Sequence, residues 1–126
     1  MLRPDDAQAL EALSLRYTTA TDGGFVNVVV DNYPAGPALD PQRSALLLRL
    51  PFGFPDATPD MFWFDPPFRT ASGAVIPGTE VLETHAGRAW QRWSRHIQGQ
   101  WRPGIDNLAT YLAYVRRCLD LAGGRA

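Results

Sequence analysis

The chain has 126 residues, of which 45% are hydrophobic and 20% charged, as is ordinary for a soluble globular protein. That length predicts one domain, residues 1–126, able to bury a core without disulfides or a structural metal. The formal net charge of −1 argues against a nucleic-acid or membrane-surface binder, since such proteins present a basic face. The single cysteine excludes an internal disulfide framework and a cysteine-rich zinc site.

No part of the sequence approaches the ~18 consecutive apolar residues of a membrane span, and its start does not have the pattern of a signal peptide. We therefore expect a cytoplasmic protein with no membrane partner. All 12 basic residues are arginine. Arginine-rich codon usage explains this bias simply; the alternative is that a protein handling activated acyl groups avoids exposed amines.

Helices are predicted at the two ends of the chain. Pro4 opens the first, because proline favours the first helical turn, and apolar residues then recur every three or four positions as far as Tyr17. Residues 18–21 are interpreted as the fading end of this helix. The second helix is predicted to open at Pro103 and to carry an apolar stripe over residues 105–119.

Strands are predicted between the helices. The β-branched run at residues 25–30 and the apolar run at 44–50 predict two strands joined by a long loop. Residues 60–64 predict a third strand, and residues 75–76 follow a predicted small hairpin. Residues 77–100 show no clear period and are interpreted as a long irregular crossing. The fold class is α+β, with helices segregated from an antiparallel sheet.

Two kinds of reactive side chain have a simple structural explanation. Cys118 is the obvious candidate nucleophile, but its place on the flank of the second helix's stripe favours a role as core filler. His85 and His96, with Glu80 and Glu83, could be assembled into a metal site, yet no pair has a tight helical ligand spacing. We therefore predict no metal and no cofactor.

The segment around Trp90, Trp93 and Trp101 is unusually aromatic, and arginines bracket these rings. Tryptophans this close together favour a core plug, with a partner-binding surface as the alternative for one ring. Arginines beside aromatic rings can stack nucleobases, but without wider positive charge they favour a solvated rim or a protein contact.

Ser94 lies two residues before His96. In an extended segment both side chains fall on one face, because the side-chain period of a strand is two. A serine hydroxyl becomes a useful nucleophile when a base or an activated acyl donor is present. This spacing therefore indicates a candidate site for acyl transfer.

Five strings of the sequence resemble one known family. They are FGFP at 52–55, DMFW at 60–63, PP at 66–67, WQRWSRH at 90–96 and WRPG at 101–104. Together they resemble the ubiquitin-conjugating (UBC) fold, and specifically the bacterial branch called prokaryotic ubiquitin-conjugating family E. The resemblance covers nearly the full chain. It implies an N-terminal helix, a four-strand antiparallel meander, a long loop crossing the sheet, and a C-terminal helix at residues 105–121.

The expected catalytic cysteine is missing at its usual place. Eukaryotic members place it eight residues before the tryptophan that corresponds to Trp101, and here that position is Trp93. The resemblance implies that Ser94, seven residues before Trp101, substitutes as an oxyester acceptor, with His96 as the nearest candidate base. His85 lies nine residues before Ser94, close to the spacing of the histidine in the family's His-Pro-Asn triplet, although Ala-Gly follows it here.

The resemblance implies an E2-like enzyme that accepts a ubiquitin-like protein from a ThiF-type activating enzyme and passes it to a target. The alternative is a catalytically inactive UBC-like adaptor that binds the activating enzyme or the ubiquitin-like protein. The predicted partner-binding residues are Phe52, Phe54 and Trp93; for the two phenylalanines the alternative is that they cap the core of the sheet. No nucleic-acid partner is expected.

Overall fold

The computed structural model describes residues 2–124, which form two helices and eight strands. The helices are α1 (Pro4–Glu11) and α2 (Leu108–Ala122), and a short 3-10 helix covers Gln98–Gln100. The strands are β1 (Tyr17–Asp22), β2 (Phe25–Pro34), β3 (Leu39–Asp40), β4 (Arg43–Pro51), β5 (Phe62–Asp65), β6 (Arg69–Thr70), β7 (Leu82–His85) and β8 (Arg88–Trp93).

The described residues confirm the mixed α+β class, with a helix near each end of the chain. Six strands form the main antiparallel sheet in the order β1-β2-β4-β5-β8-β7, and β3 pairs with β6 separately. The prediction of a four-strand meander is therefore wrong. The runs at 25–30 and 44–50 are confirmed as the cores of β2 and β4, and residues 62–64 of the third predicted strand lie in β5.

The first strand that the sequence analysis did not predict is β1. Its residues are interpreted there as the end of the first helix. α1 ends at Glu11, and Ser14, with φ +56°, is the last residue of the turn that follows. Residues Tyr17–Asp22 then pair along their whole length with β2. Threonine-rich segments suit an edge strand, because β-branched side chains favour extended backbone.

The other two strands that the sequence analysis did not predict are β7 and β8, which with their turn occupy half of the predicted irregular crossing. They form a hairpin whose turn is Ala86-Gly87, with φ values of +53° and +75°. Positive φ at both central residues gives the turn the twist that a two-residue hairpin requires. Residues 75–76 do not form a strand; β6 ends at Thr70 and the chain turns through residues 71–73.

Side chains alternate between two faces of the main sheet. The inner face packs against the helices, and its buried residues include Leu46, Leu48, Phe62, Phe64 and Trp93. The outer face carries a smaller buried cluster of Leu47, Trp63 and Trp90. This second face is the one on which polar side chains gather.

α2 begins later than its sequence indicates. The side chain of Asn107 accepts a hydrogen bond from the Thr110 N–H at 3.1 Å, and Thr110 Oγ1 accepts one from the Asn107 N–H at 2.9 Å. This reciprocal cap fixes the helix start. Ile105, assigned to the apolar stripe, lies before the cap and is 63% exposed. Within residues 2–124, neither helix is long and apolar enough to cross a membrane.

Candidate active site

A carboxylate and an imidazole form a short hydrogen bond close to the end of β8. His96 Nδ1 lies 2.6 Å from Asp60 Oδ1. The side chains are 53% and 38% exposed, so the pair is open to solvent. A carboxylate at Nδ1 favours the tautomer that carries its proton there, which leaves Nε2 to accept a proton from outside. The arrangement is that of a carboxylate-oriented general base.

Asp60 is positioned by aromatic side chains from the C-terminal part of the chain. Its neighbour Met61 has φ +59°, a conformation that costs a non-glycine residue about 1–3 kcal/mol. The Met61 carbonyl oxygen accepts a hydrogen bond from the Tyr111 hydroxyl at 2.7 Å. Trp101 Nε1 donates to the Pro55 carbonyl oxygen at 2.8 Å. These two bonds fix the backbone at 55–61, and with it the place of Asp60.

Ser94 is the first residue after β8. Its side chain is half-buried, and its N–H donates to the Gly78 carbonyl oxygen at 2.9 Å. Trp93, just before it, is fully buried and stacks on Phe62 at 5.7 Å between ring centroids. Within residues 2–124, Ser94 Oγ makes no hydrogen bond to His96. Ser94 and His96 thus lie in one anchored segment, but no hydrogen bond connects their side chains.

His85 belongs to a separate network on the outer face. Glu83 Oε1 accepts from Trp63 Nε1 at 2.9 Å and lies 3.2 Å from His85 Nε2, while Glu83 Oε2 accepts from Arg92 Nη1 at 2.9 Å. Burial opposes ionisation of Glu83, but these hydrogen bonds and the Arg92 charge outweigh it and lower the pKa of the carboxyl below its ordinary value. The ionised Glu83 thereby holds the His85 ring, whose centroid lies 5.1 Å from that of Trp63.

An outer-face groove of about 530 Å³ lies beside His85. Asp60, Trp63, Glu83 and His85 are among the residues that line it. Asp60 therefore belongs both to the groove and to the pair with His96. Ser94, His96 and His85 do not form one hydrogen-bonded site. Asp60 nevertheless lies near both histidines, because it bonds to His96 and lines the groove beside His85.

The only cysteine of the chain lies in the inner-face core. Cys118 is 7% exposed, which confirms its prediction as core filler. Burial raises the pKa of its thiol, although the Tyr114 hydroxyl and the nearby Arg95 and Arg117 partly oppose this effect. A buried thiol with a raised pKa is a weak nucleophile at neutral pH.

The predicted partner-binding residues differ sharply in exposure. Phe52 is 62% exposed, whereas Phe54 is 8% exposed and its ring lies 5.8 Å from that of Trp101. The environment of Phe54 is the one expected for the core-capping alternative. Trp93 is fully buried, so its ring presents no surface to a partner in this conformation.

The candidate residue that the sequence analysis missed is Asp60. It lies 36 positions before His96, and no local spacing relates the two. In the sequence it is the first residue of a predicted strand and of the DMFW string, and neither indicates a partnership with His96. In the described part of the chain, no group of three or more His, Cys, Asp and Glu side chains is placed to hold a metal ion.

Comparison with known families gives one match. The family model described as Prokaryotic E2 family E matches residues 2–122. The match spans both helices and the whole main sheet, and includes Ser94 and the Asp60–His96 pair. Comparisons with curated proteins and with solved structures give no significant match.

Proposed function

Since the chain belongs to the prokaryotic E2 family E, we propose that it accepts a ubiquitin-like protein from a ThiF-type activating enzyme and passes it to a target. In this proposal the domain has a UBC-like architecture, works in the cytoplasm and carries its cargo as an oxyester on Ser94. The family supports an E2-like role in general terms. The observation that supports an active enzyme is the short bond between Asp60 and His96.

The acyl transfer balances without any co-reactant. Ser94 Oγ attacks the thioester carbonyl carbon of the activated ubiquitin-like protein, so that a C–O bond forms and the C–S bond breaks. His96 Nε2 takes the hydroxyl proton and returns it to the departing thiolate. Asp60 stabilises the imidazolium that exists between these two transfers. His85, whose Nε2 faces Glu83, serves as a positioning residue for the groove.

The second transfer, from Ser94 to the target, is the harder one. An alkoxide is a poorer leaving group than a thiolate, so the oxyester needs stronger acid–base help than a thioester does. A base held by a carboxylate supplies such help. The missing Ser94–His96 bond does not oppose this role, because catalytic hydrogen bonds are often long before substrate binds.

Phe52 is the docking anchor in this proposal. An exposed aromatic side chain in a proline-stiffened loop loses little conformational entropy on binding. Its 62% exposure supports contact with the activating enzyme or with the ubiquitin-like protein. Phe54 and Trp93, which lie in the core, act by holding this loop and the Ser94 segment in place.

The test is adduct formation in the presence of the activating enzyme, the ubiquitin-like protein and ATP. We expect an adduct that hydroxide cleaves and thiols do not. Ser94→Ala should abolish it, and Asp60→Asn should slow its formation by roughly 10²-fold, as expected when a general base loses its orientation. Ser72→Ala, at an exposed turn serine, is the matched control and should react as the wild type. No adduct, or one that persists in Ser94→Ala, would contradict the proposal.

A second candidate is the inactive UBC-like adaptor, which is supported by the fully buried Trp93 at the place of the usual catalytic cysteine. An adaptor should co-purify with the activating enzyme or the ubiquitin-like protein. Ser94→Ala and His96→Ala should then leave every conjugation step unchanged. The two variants therefore separate a carrier from an adaptor in one experiment.

A further inference from the structure

A cavity of about 410 Å³ lies between the C-terminal half of α2 and residues 76, 77 and 95. Its apolar wall includes Ile76 and Leu121. Its polar groups come from Arg95, Tyr114, Arg117 and Cys118. Asp60, Ser94 and His96 are not among its lining residues, although the lining residue Arg95 lies between Ser94 and His96 in the sequence.

The cavity is positively charged. Arg95 and Arg117 line it, and none of the described residues that line it is a carboxylate. Burial raises the pKa of Tyr114 to about 12, and burial also raises the pKa of the Cys118 thiol, so both groups are neutral at pH 7. The C-terminal end of α2 contributes about −0.5 of a charge. Two guanidinium charges therefore exceed the opposing dipole, and Asp60, whose charge also acts on Tyr114, is hydrogen-bonded to His96.

These two arginines differ from most others in the chain. Among residues 2–124, six arginines form ion pairs with carboxylates: Arg16, Arg49, Arg88, Arg92, Arg102 and Arg116. In the part of the chain that the structure describes, neither Arg95 nor Arg117 has such a partner. The nearby Asp120 of α2 is paired with Arg116 at 3.3 Å. Two arginines without ion-pair partners among the described residues thus line one concave site.

Arg95 is held in place by backbone carbonyl groups, which are neutral and do not cancel its charge. Its Nη2 donates to the Pro77 carbonyl oxygen at 3.0 Å, and its Nη1 donates to the Ser94 carbonyl oxygen at 3.3 Å. Its guanidinium lies 5.2 Å from the ring centroid of Trp93. Gly78, with φ +78°, leaves room for it, since a Cβ there would meet Nη1 at 2.7 Å. A guanidinium has five N–H donors, so donors remain for a ligand.

We propose that this cavity binds a small organic anion. Its carboxylate or phosphate group pairs with the guanidiniums of Arg95 and Arg117, and its apolar body packs against Ile76 and Leu121. Arginine suits both anions, because its planar donors match their oxygen geometry. The volume lies in the range of small-molecule sites. This site does not depend on acyl transfer at Ser94, so either proposal can fail without the other.

Four probes test the site by NMR titration of the ¹⁵N-labelled chain: phenyl phosphate, benzoate, benzyl alcohol and inorganic phosphate. Phenyl phosphate or benzoate should shift the amide signals of residues 76–78, 94–96 and 114–122. Benzyl alcohol has the aromatic ring without the charge, and inorganic phosphate has the charge without the ring. Each should bind at least about tenfold more weakly than phenyl phosphate or benzoate. Tighter binding of phenyl phosphate indicates a phosphate ligand, and tighter binding of benzoate a carboxylate.

Arg117→Gln is the decisive variant. Arg117 is exposed and makes no hydrogen bond or ion pair within residues 2–124, so the variant should fold as the wild type does. It should weaken binding of the charged aromatic probe about tenfold. Arg69→Gln, at another exposed arginine outside the cavity, removes the same charge and should leave binding unchanged. Wild-type affinity in Arg117→Gln, or equal binding of benzyl alcohol, would overturn the proposal.

Discussion

On the inner face of the main sheet, aromatic and aliphatic side chains pack beneath α2, whereas on the outer face the same strands carry a small apolar cluster beside polar groups. The inner cluster contains Phe62, Phe64 and Trp93 and extends into both helices. The outer cluster is centred on Trp63 and Trp90. Stability on the first face comes mainly from apolar burial, and on the second from burial together with directed hydrogen bonds.

The comparison explains where a groove can form on the sheet. A face covered by a helix is closed to substrate, while a face organised by Glu83 leaves a groove of about 530 Å³ that reaches Asp60. The carboxylate of Glu83 is satisfied by Trp63, His85 and Arg92 together. The outer face can therefore keep polar side chains partly buried without leaving their charges unpaired.

Truncation of the inner-face cluster should have the largest effect. Phe54→Ala removes a ring buried in this cluster and should lower the free energy of unfolding by about 3–5 kcal/mol. Phe52→Ala removes an exposed ring and should change stability by about 0.5 kcal/mol or less. Urea unfolding measures both values. Equal losses in the two variants would contradict the assignment of Phe54 to the core and of Phe52 to the surface.

The same pair tests docking. Affinity for the activating enzyme should fall in Phe52→Ala while its melting temperature stays near that of the wild type, because an anchor contributes to binding rather than to the fold. If neither variant alters affinity in a folded protein, the docking surface lies elsewhere.

A polar atom placed in the inner core should have an intermediate effect. Cys118→Ser puts a hydroxyl at a 7% exposed position and should lower stability by about 1–2 kcal/mol. Adduct formation should be unchanged, since the thiol has no role in the proposed transfer. Loss of the adduct in a folded Cys118→Ser protein would identify Cys118 as the nucleophile.

Disruption of the outer-face network should lower stability less than either core substitution does, and its effect should depend on pH. The pKa of Glu83 lies below its ordinary value of 4.5 in the folded protein, so the ionised carboxylate stabilises the fold above about pH 4.5. This contribution is lost as the pH falls through the lowered folded pKa. Glu83→Gln should cost about 1 kcal/mol at pH 7, because the group is partly exposed, and should remove this acid-dependent loss.

Urea unfolding at pH 7 and at pH 3 measures the difference for Glu83. Glu80→Gln removes the same charge just before β7 without touching the network and should retain the acid-dependent loss. If Glu83→Gln loses as much stability in acid as the wild type does, ionised Glu83 does not hold the outer face together.

The same contrast between faces explains how much of the fold was predictable. β2 and β4 are central strands with long buried runs, so their β-branched and aliphatic residues stood out. β1 is an exposed edge strand whose threonines follow no alternation of apolar and polar residues. The β7–β8 hairpin escaped notice because its outer-face positions carry Glu83, His85 and Arg92, which obscure the period of two.

The candidate site was predictable only in part, for a similar reason. Ser94 and His96 are close in sequence, so their common segment could be found by spacing. The hydrogen-bond partner of His96 is Asp60, and its place depends on contacts between the segment before β5 and the residues Trp101 and Tyr111. Such tertiary contacts leave no pattern in the local sequence. The offset in the start of α2 has a local cause, since the cap at Asn107 overrides the proline at position 103.

The hydrogen bonds from Trp101 and Tyr111 to the carbonyls of Pro55 and Met61 join distant parts of the chain into one cooperative unit. Local opening that detaches α2 would release the backbone before β5 at the same time, so the amides of both segments should exchange hydrogen together. A partner that displaces the backbone at 55–61 must therefore also supply the free energy needed to open α2 locally.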